Sequence, residues 1–220
     1  MRDLNQSIIK FNYDQNFTDD DFYVSSSNRH IFSFLDKWPK WEKNFFNIIG
    51  EKFSGKTHLA KIFIRKFNGL KLKSNLLTND DLIKIKLHEN IILEDLNKNV
   101  DENLLYSLLN IVDQDNKYII VTSNIPIVDI EFTLEDLKSG AKNFLLQNIE
   151  KPDDNLIFAL ILKNLSDRQI SMDKKLIDFI IKRIHRSYSK IFEFIYKVDE
   201  LSLKMKKPID LKIIKQVLGD

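Results

Sequence analysis

Gly50-Glu51-Lys52-Phe53-Ser54-Gly55-Lys56-Thr57 sets two glycines, a lysine and a hydroxyl at the spacing G-x-x-x-x-G-K-T. Each residue type answers a need of a polyphosphate. Glycines let the backbone curl around the anion, the lysine reaches the β- and γ-phosphates, and the hydroxyl suits Mg²⁺. The context agrees with the letters. An apolar run, residues 44–49, leads into the loop, and Leu59, Ala60, Ile62, Phe63 and Phe67 recur at helical spacing after it. A helix opening at this loop would aim its first N–H groups at the same anion. The whole run from Gly50 to His58 is therefore expected to bind an adenine nucleotide, ATP or ADP.

Two further stretches end in groups that a phosphate site uses. Asn90-Ile91-Ile92-Leu93-Glu94-Asp95-Leu96 reads as a buried strand closing on two carboxylates. This is the pattern of an acidic strand that places one acid on Mg²⁺ through water and one on the attacking water. Thr57 and Glu94 are the expected metal residues, and Glu94 and Asp95 the catalytic pair. The order Glu-Asp inverts the commoner Asp-Glu, which argues for slow hydrolysis because the shorter acid stands where the longer base is usual. Lys117-Tyr118-Ile119-Ile120-Val121-Thr122-Ser123-Asn124 is a second buried strand with a polar tip. Asn124 either orients the hydrolytic water or the γ-phosphate, or serves as a turn residue before Pro126.

The elements that must position these groups follow from periodicity. Strands at 44–49, 90–96 and 117–124, with short candidates at 70–72 and 75–77, alternate with helical patterns, which indicates an α/β domain with a parallel sheet. Ligands in such sheets bind outside the C-terminal strand ends, where all three polar tips lie. Asn28 and its serines are expected to cap a helix that stops before Pro39, and Thr78 to cap a brief one. Beyond Pro152 the pattern is helical only, at about 156–167, 174–185, 188–206 and 210–218. Three parts are expected: an arm at 1–16, a nucleotide-binding α/β domain at 17–151, and a small all-helical domain at 152–220.

Composition narrows the classes. With 220 residues, 43% apolar, the chain can bury a real core, and a net charge of +2 gives no global field toward nucleic acid or an anionic membrane. The absence of cysteine excludes disulfides and thiolate chemistry. No apolar run approaches the roughly 18 residues of a membrane span, so a cytoplasmic location and no membrane partner are expected.

The order of these motifs resembles DnaA-type AAA+ ATPases, P-loop NTPases whose sheet domain carries a helical lid. The resemblance covers most of residues 17–218. It implies that Phe22, Tyr23, Val24 and Asn28 lie near the base, and that Asn124 is the first sensor. It also implies a sensor arginine at the start of the third lid helix, where Ser189 stands, with Arg186 one turn earlier as the candidate for that role. The segment 134–146 aligns with the family's arginine-finger region, but the finger position is Gly140, with Lys138 and Lys142 the nearest cations. A glycine cannot stabilise phosphate charge, so that role is expected to be lost or moved, and intrinsic turnover to be weak.

Gln6-Ser7-Ile8-Ile9-Lys10-Phe11 resembles the hexapeptide that docks on bacterial sliding clamps, with Gln6, Ile9 and Phe11 as its contacts; a short edge strand is the other reading. A DnaA-like module with such a peptide, and with no helix-turn-helix domain after it, resembles the Hda family, regulatory inactivators of DnaA. The resemblance implies two partners, the clamp and the DnaA initiator, and DNA only indirectly through the loaded clamp. It is compatible with self-association. The implied role is to promote hydrolysis of initiator-bound ATP and so restrain replication. Two other readings remain open: an autonomous ATPase of the helicase-loader type, and a binding module in which nucleotide merely joins the two domains.

Overall fold

The computed structural model describes residues 22–219 apart from 169 and 171. The expected clamp peptide, with Gln6, Ile9 and Phe11, lies outside the described residues.

Five parallel strands form one sheet: β1 (Phe45–Ile49), β2 (Leu70–Lys73), β3 (Asn90–Leu96), β4 (Tyr118–Ser123) and β5 (Leu145–Asn148). Their order is β2-β3-β4-β1-β5. The central strands are apolar on both faces because helices cover both. Ile91, Leu93, Ile119 and Val121 face a core shared with α3 (Asn79–Lys86), α4 (Glu102–Gln114) and α5 (Glu135–Ala141). Phe46, Ile48, Ile92 and Ile120 face α1 (Arg29–Leu35), α2 (Lys56–Phe67) and Trp41. β1 lies between β4 and β5, so the loop that leaves it emerges beside the ends of those two strands, with the end of β3 one strand further on.

The lid is α6 (Asp154–Asp167), α7 (Lys174–Ile181), α8 (Tyr188–Met205) and α9 (Leu211–Leu218), packed through Ile157, Ile161, Ile180, Ile191, Ile195 and Ile214. Each lid helix starts on a side-chain cap, from Asp153, Asp173, Ser187 and Asp210 in turn. Such caps satisfy N–H groups that have no partner within the helix. Leu156 and Tyr188 belong to the sheet-side core, which joins the two parts.

Three local expectations change. Residues 75–77 form no strand: Ser74–Leu76 is a 3-10 turn, because Ser74 Oγ donates to the Asp95 carbonyl at 2.8 Å and draws the chain off the sheet. Asn28 precedes α1 without capping it with its side chain. Its amide donates to the Tyr23 carbonyl and its oxygen accepts from the Ser25 N–H, so it braces the preceding segment instead. The α7 helix ends at Ile181 rather than 185, where the chain turns to bring Ser187 into its cap on α8.

Tyr188 offers a test of the body–lid junction. Its ring is 3% exposed and its hydroxyl donates to the Glu150 carbonyl at 3.0 Å. Burial, against a hydrogen bond with Ser27 that acts the other way, pushes the phenol up to about 12. The fold thus favours the neutral phenol: its contribution is complete below the ordinary value of 10 and is lost as pH rises through about 12. Tyr188→Phe should cost about 1 kcal/mol in urea denaturation at neutral pH. The gap between wild type and variant should close across that alkaline window.

Candidate nucleotide-binding site

The loop leaves β1 at Gly50, whose N–H donates to the Ser123 carbonyl at 3.2 Å. A Cβ there would fall 2.5 Å from Ser54 Oγ, so the turn has room only for glycine. Gly55, at φ +95°, reverses the chain into α2 in a conformation that side chains disfavour. Lys56 is therefore the first residue of α2 and its ammonium returns beneath the loop. Nζ donates to the Gly50 carbonyl at 2.6 Å, the Glu51 carbonyl at 3.0 Å and Asn124 Oδ1 at 3.1 Å. Burial lowers the lysine's pKa, with the carboxylates of Asp95 and Glu51 acting against that shift. Asn124 thus stands on the phosphate-loop lysine. Asn47, in mid β1, braces that corner: its amide donates to Ser123 Oγ and the Val121 carbonyl, and its oxygen accepts from the Ile127 N–H. Sequence reading passed over Asn47; its signal was an amide inside an otherwise apolar strand.

The two acids of β3 part company. Leu93 lies opposite Val121 but Leu96 lies opposite Ser123, three steps on β3 for two on β4. This bulge puts Asp95 at φ +57°. Its N–H donates to Thr122 Oγ1 and its carbonyl accepts from Ser74 Oγ and Asn97 Nδ2, so a strained residue is over-determined by its neighbours. Asp95 consequently lines the cavity above Lys56. Glu94 does not line it; it is 2% exposed and its Oε2 lies 3.1 Å from Lys71 Nζ on β2.

The cavity, about 770 Å³, runs between the loop and the lid. Lys52, Phe53, Ser54, Gly55, Lys56, Thr57 and His58 line its floor, and Phe22, Tyr23 and Asn28 one wall. Phe22 sits edge-on to His58 at 5.1 Å. Val24, Gly50 and Glu51, expected at the ligand, do not line it, Gly50 being held back at the foot of the loop by its hydrogen bond to the Ser123 carbonyl. The reason for Val24 is the turn pinned by Asn28; the reason for Glu51 is the lid. Ser187 Oγ donates to Glu51 Oε2 at 3.0 Å and the Ser189 N–H to Oε1 at 3.2 Å, so the loop's own carboxylate sits at the N-terminus of α8. Phe53 stacks on Phe192 one turn along, at 4.8 Å. Ser189, standing where a sensor arginine was expected, ties lid to loop.

Arg186 also departs from expectation. It pairs with Asp154 at 2.6 Å on the surface and does not line the cavity. The lid arginine that does is Arg168, at the end of a stripe down α6: Leu156, Ala159, Leu160, Lys163, Asn164 and Asp167 precede it at helical spacing. Its Nε lies 3.3 Å from Asp199 Oδ2, and its Nη1 is buried without a hydrogen-bond partner among the described residues. That spacing was legible in the sequence, but which face of α6 met the cavity was not. Gly140 lies in the helical turns of α5 with nothing within 4 Å of a Cβ built there, and Lys138 beside it pairs with Glu135 at 2.6 Å.

These residues fit a nucleotide. The start of α2, Lys56 and the buried Ser54 Oγ, which has no hydrogen-bond partner among the described residues, offer donors to phosphates, and Phe22 and Tyr23 offer aromatic surface to a base. For magnesium, Thr57 lines the cavity but Glu94 does not fit its expected role. Its Oε2 is already met by Lys71, although Oε1 is buried without a hydrogen-bond partner among the described residues.

A parallel sheet in this order, a glycine-bounded loop opening α2, a polar tip on β4 and a helical lid define an AAA+ P-loop module. Solved structures agree on the fold. Domain III of the Thermotoga maritima replication initiation protein DnaA superposes with a TM-score of 0.71 at 18% identity, covering 94% of this chain and 97% of that one. AMPPCP-bound DnaA from Aquifex aeolicus gives 0.65 at 17% identity, covering 86% and 67%. Among curated proteins, the chromosomal replication initiator DnaA of Buchnera aphidicola subsp. Cinara cedri is 23% identical over 224 residues, 90% of this chain and 51% of that protein. The chain spans about half the length of the curated relatives it matches. Residues 153–218 match the family model of the Hda lid domain. The chain thus has the AAA+ fold, is similar to DnaA along most of its length, and carries a lid that matches the Hda lid domain.

The Glu51 contact generates an expectation of its own. Glu51→Ala should release the first turn of α8 without unfolding the lid core. Loss of a charge-assisted cap of about 1–2 kcal/mol should speed amide hydrogen exchange at Ser189 and Lys190 roughly tenfold. Amides around Ile195 should keep their protection.

Proposed function

We propose that this chain binds ATP or ADP between its phosphate loop and lid, and in that state regulates a DnaA initiator from the sliding clamp. The observation that carries the nucleotide part is the Lys56 ammonium, aimed under the loop with Asn124 and Asp95 around it. The match of residues 153–218 to the Hda lid supports the regulatory part, as does the Gln6–Phe11 peptide. In this reading Gln6, Ile9 and Phe11 dock on the clamp, DNA is met only through the loaded clamp, and the initiator's own site hydrolyses the ATP.

Weak intrinsic turnover belongs to the same reading. Glu94 is paired to Lys71, the acid at the cavity is the shorter Asp95, Gly140 offers no cation to a neighbour, and Ser189 is occupied by the loop. Arginine fingers supply about 10³ to 10⁵ in rate in related phosphoryl transfers, so a chain lacking one at this position suits a regulator better than a motor. What the chain's residues do is bind and orient: Lys56 holds phosphate, Asn124 fixes Lys56, and the lid excludes water.

Lys56→Ala should weaken ADP binding about ten- to a hundredfold in calorimetry, the cost of one charge-assisted phosphate contact. Unchanged affinity would overturn the nucleotide reading. For the partners, a clamp pull-down with the Gln6→Ala, Phe11→Ala double variant should lose the clamp while ADP affinity stays at the wild-type value. Stimulation of DnaA-bound ATP hydrolysis on clamp-loaded DNA should fall with it. Retention of the clamp by that variant, or no clamp binding by wild type, would move the helicase-loader alternative ahead.

A further inference from the structure

Arg168 caps the end of α6, where its N–H and that of Ile170 both donate to the Leu165 carbonyl, at 3.1 and 2.9 Å, and so fix the backbone. Its side chain is fixed as well, because Nε lies 3.3 Å from Asp199 Oδ2 on α8. A guanidinium is planar, so holding Nε orients the rest of the fork, and it keeps its charge throughout the range in which proteins fold. Nη1 is then buried with no hydrogen-bond partner among the described residues. A donor left unmade out of water costs free energy, and an acceptor brought by a ligand removes that cost. Leu160, Asn164 and Arg168 follow one another at intervals of four along one face of α6, and all three line the cavity. Leu160 packs with Phe22 on the sheet-side core, so the face runs from apolar surface suited to a base to a polar end, and Arg168 is the one arginine among the described lining residues. Arg186, by contrast, pairs with Asp154 in the open, both side chains being more than half exposed.

We infer that Arg168 is the arginine through which the lid grips the bound nucleotide, donating from its buried end to an acceptor atom of that ligand. The inference rests on the nucleotide reading above. A phosphate oxygen and a ring nitrogen of the base are both acceptors, and a hydrogen bond to either from a guanidinium is charge-assisted. Asp199 is then a positioning residue: it takes Nε and leaves the other end of the fork to the cavity, so α6 and α8 hold the arginine jointly. The two lid helices divide the work. The start of α8 is engaged with Glu51 of the loop through Ser187 and Ser189, and the end of α6 carries the cation that meets the ligand.

The test is calorimetry of ADP and of AMP with wild type, Arg168→Met and Arg186→Met. Arg168→Met should weaken ADP binding about tenfold, the scale of one hydrogen bond from a charged group, while Arg186→Met should bind ADP as wild type does. A loss confined to ADP assigns the acceptor to the β-phosphate, and an equal loss with AMP assigns it to the part that the two ligands share. Wild type gives a second reading that holds even where Arg168→Met fails to fold. Phenylglyoxal modifies guanidinium groups, and ADP should slow its reaction at Arg168, followed by peptide mass spectrometry, while leaving the reaction at Arg186 unchanged. Unchanged ADP affinity in Arg168→Met, an equal loss in Arg186→Met, or no protection of Arg168 by ADP would overturn the inference and leave the nucleotide reading intact. Wild type that binds neither nucleotide would overturn both.

Discussion

A lysine ammonium taken out of water at the ends of three adjacent strands is the constraint around which the α/β domain is arranged. Lys56 is 6% exposed, and an amine so placed needs acceptors on every side or it sheds its proton. The acceptors come from the β1 loop and the tip of β4, with the Asp95 carboxylate on β3 near enough to help hold the charge. That requirement explains why a polar residue braces mid β1 and why β3 carries a bulge. Asn47 holds the corner at Ser123, and the hydrogen bonds of Thr122, Ser74 and Asn97 keep Asp95 in a backbone conformation it would not choose alone.

The lid meets this arrangement through the loop itself. In the phosphate loop only the glycines, Lys56 and Thr57 are set by the needs of phosphate; Glu51, Lys52 and Phe53 are free to do something else. Here they engage α8 through a carboxylate cap, a backbone acceptor for Ser189 Oγ, and an aromatic stack. The third lid helix therefore touches the loop directly. Its serine makes a structural contact at a place where related modules have reason to keep a cation.

Periodicity was enough for the strands that bury both faces and for the lid helices apart from the end of α7, because apolar spacing records burial directly. The 3-10 turn at 74–76 was not legible, since Leu76 continues the alternation of Leu70 and Leu72 and only the hydroxyl of Ser74, turned inward to the Asp95 carbonyl, breaks it. Site residues were legible where a single backbone geometry demands a residue type, as at Gly50, Gly55 and Lys56. They were not where the outcome depends on which way a strand end turns. Two adjacent acids look equivalent in a sequence, but one extra residue in a ladder sends Asp95 to the cavity and leaves Glu94 with Lys71. Arg186 and Arg168 differ in the same way: both are lid arginines, and the face of the helix bundle that meets the loop decided between them.

The Glu51 carboxylate belongs to two sites at once, being part of the loop that would wrap a phosphate and also the cap of a helix some 136 residues away in sequence. Coupling between sites is reciprocal: whatever alters the loop alters the freedom of α8, and whatever grips α8 from outside alters the loop by the same free energy. A protein surface that clasps this helix could therefore tighten or loosen the hold on a ligand it never touches. On the function proposed above, the lid would be a handle through which a partner feels the contents of the cavity and the cavity feels the partner.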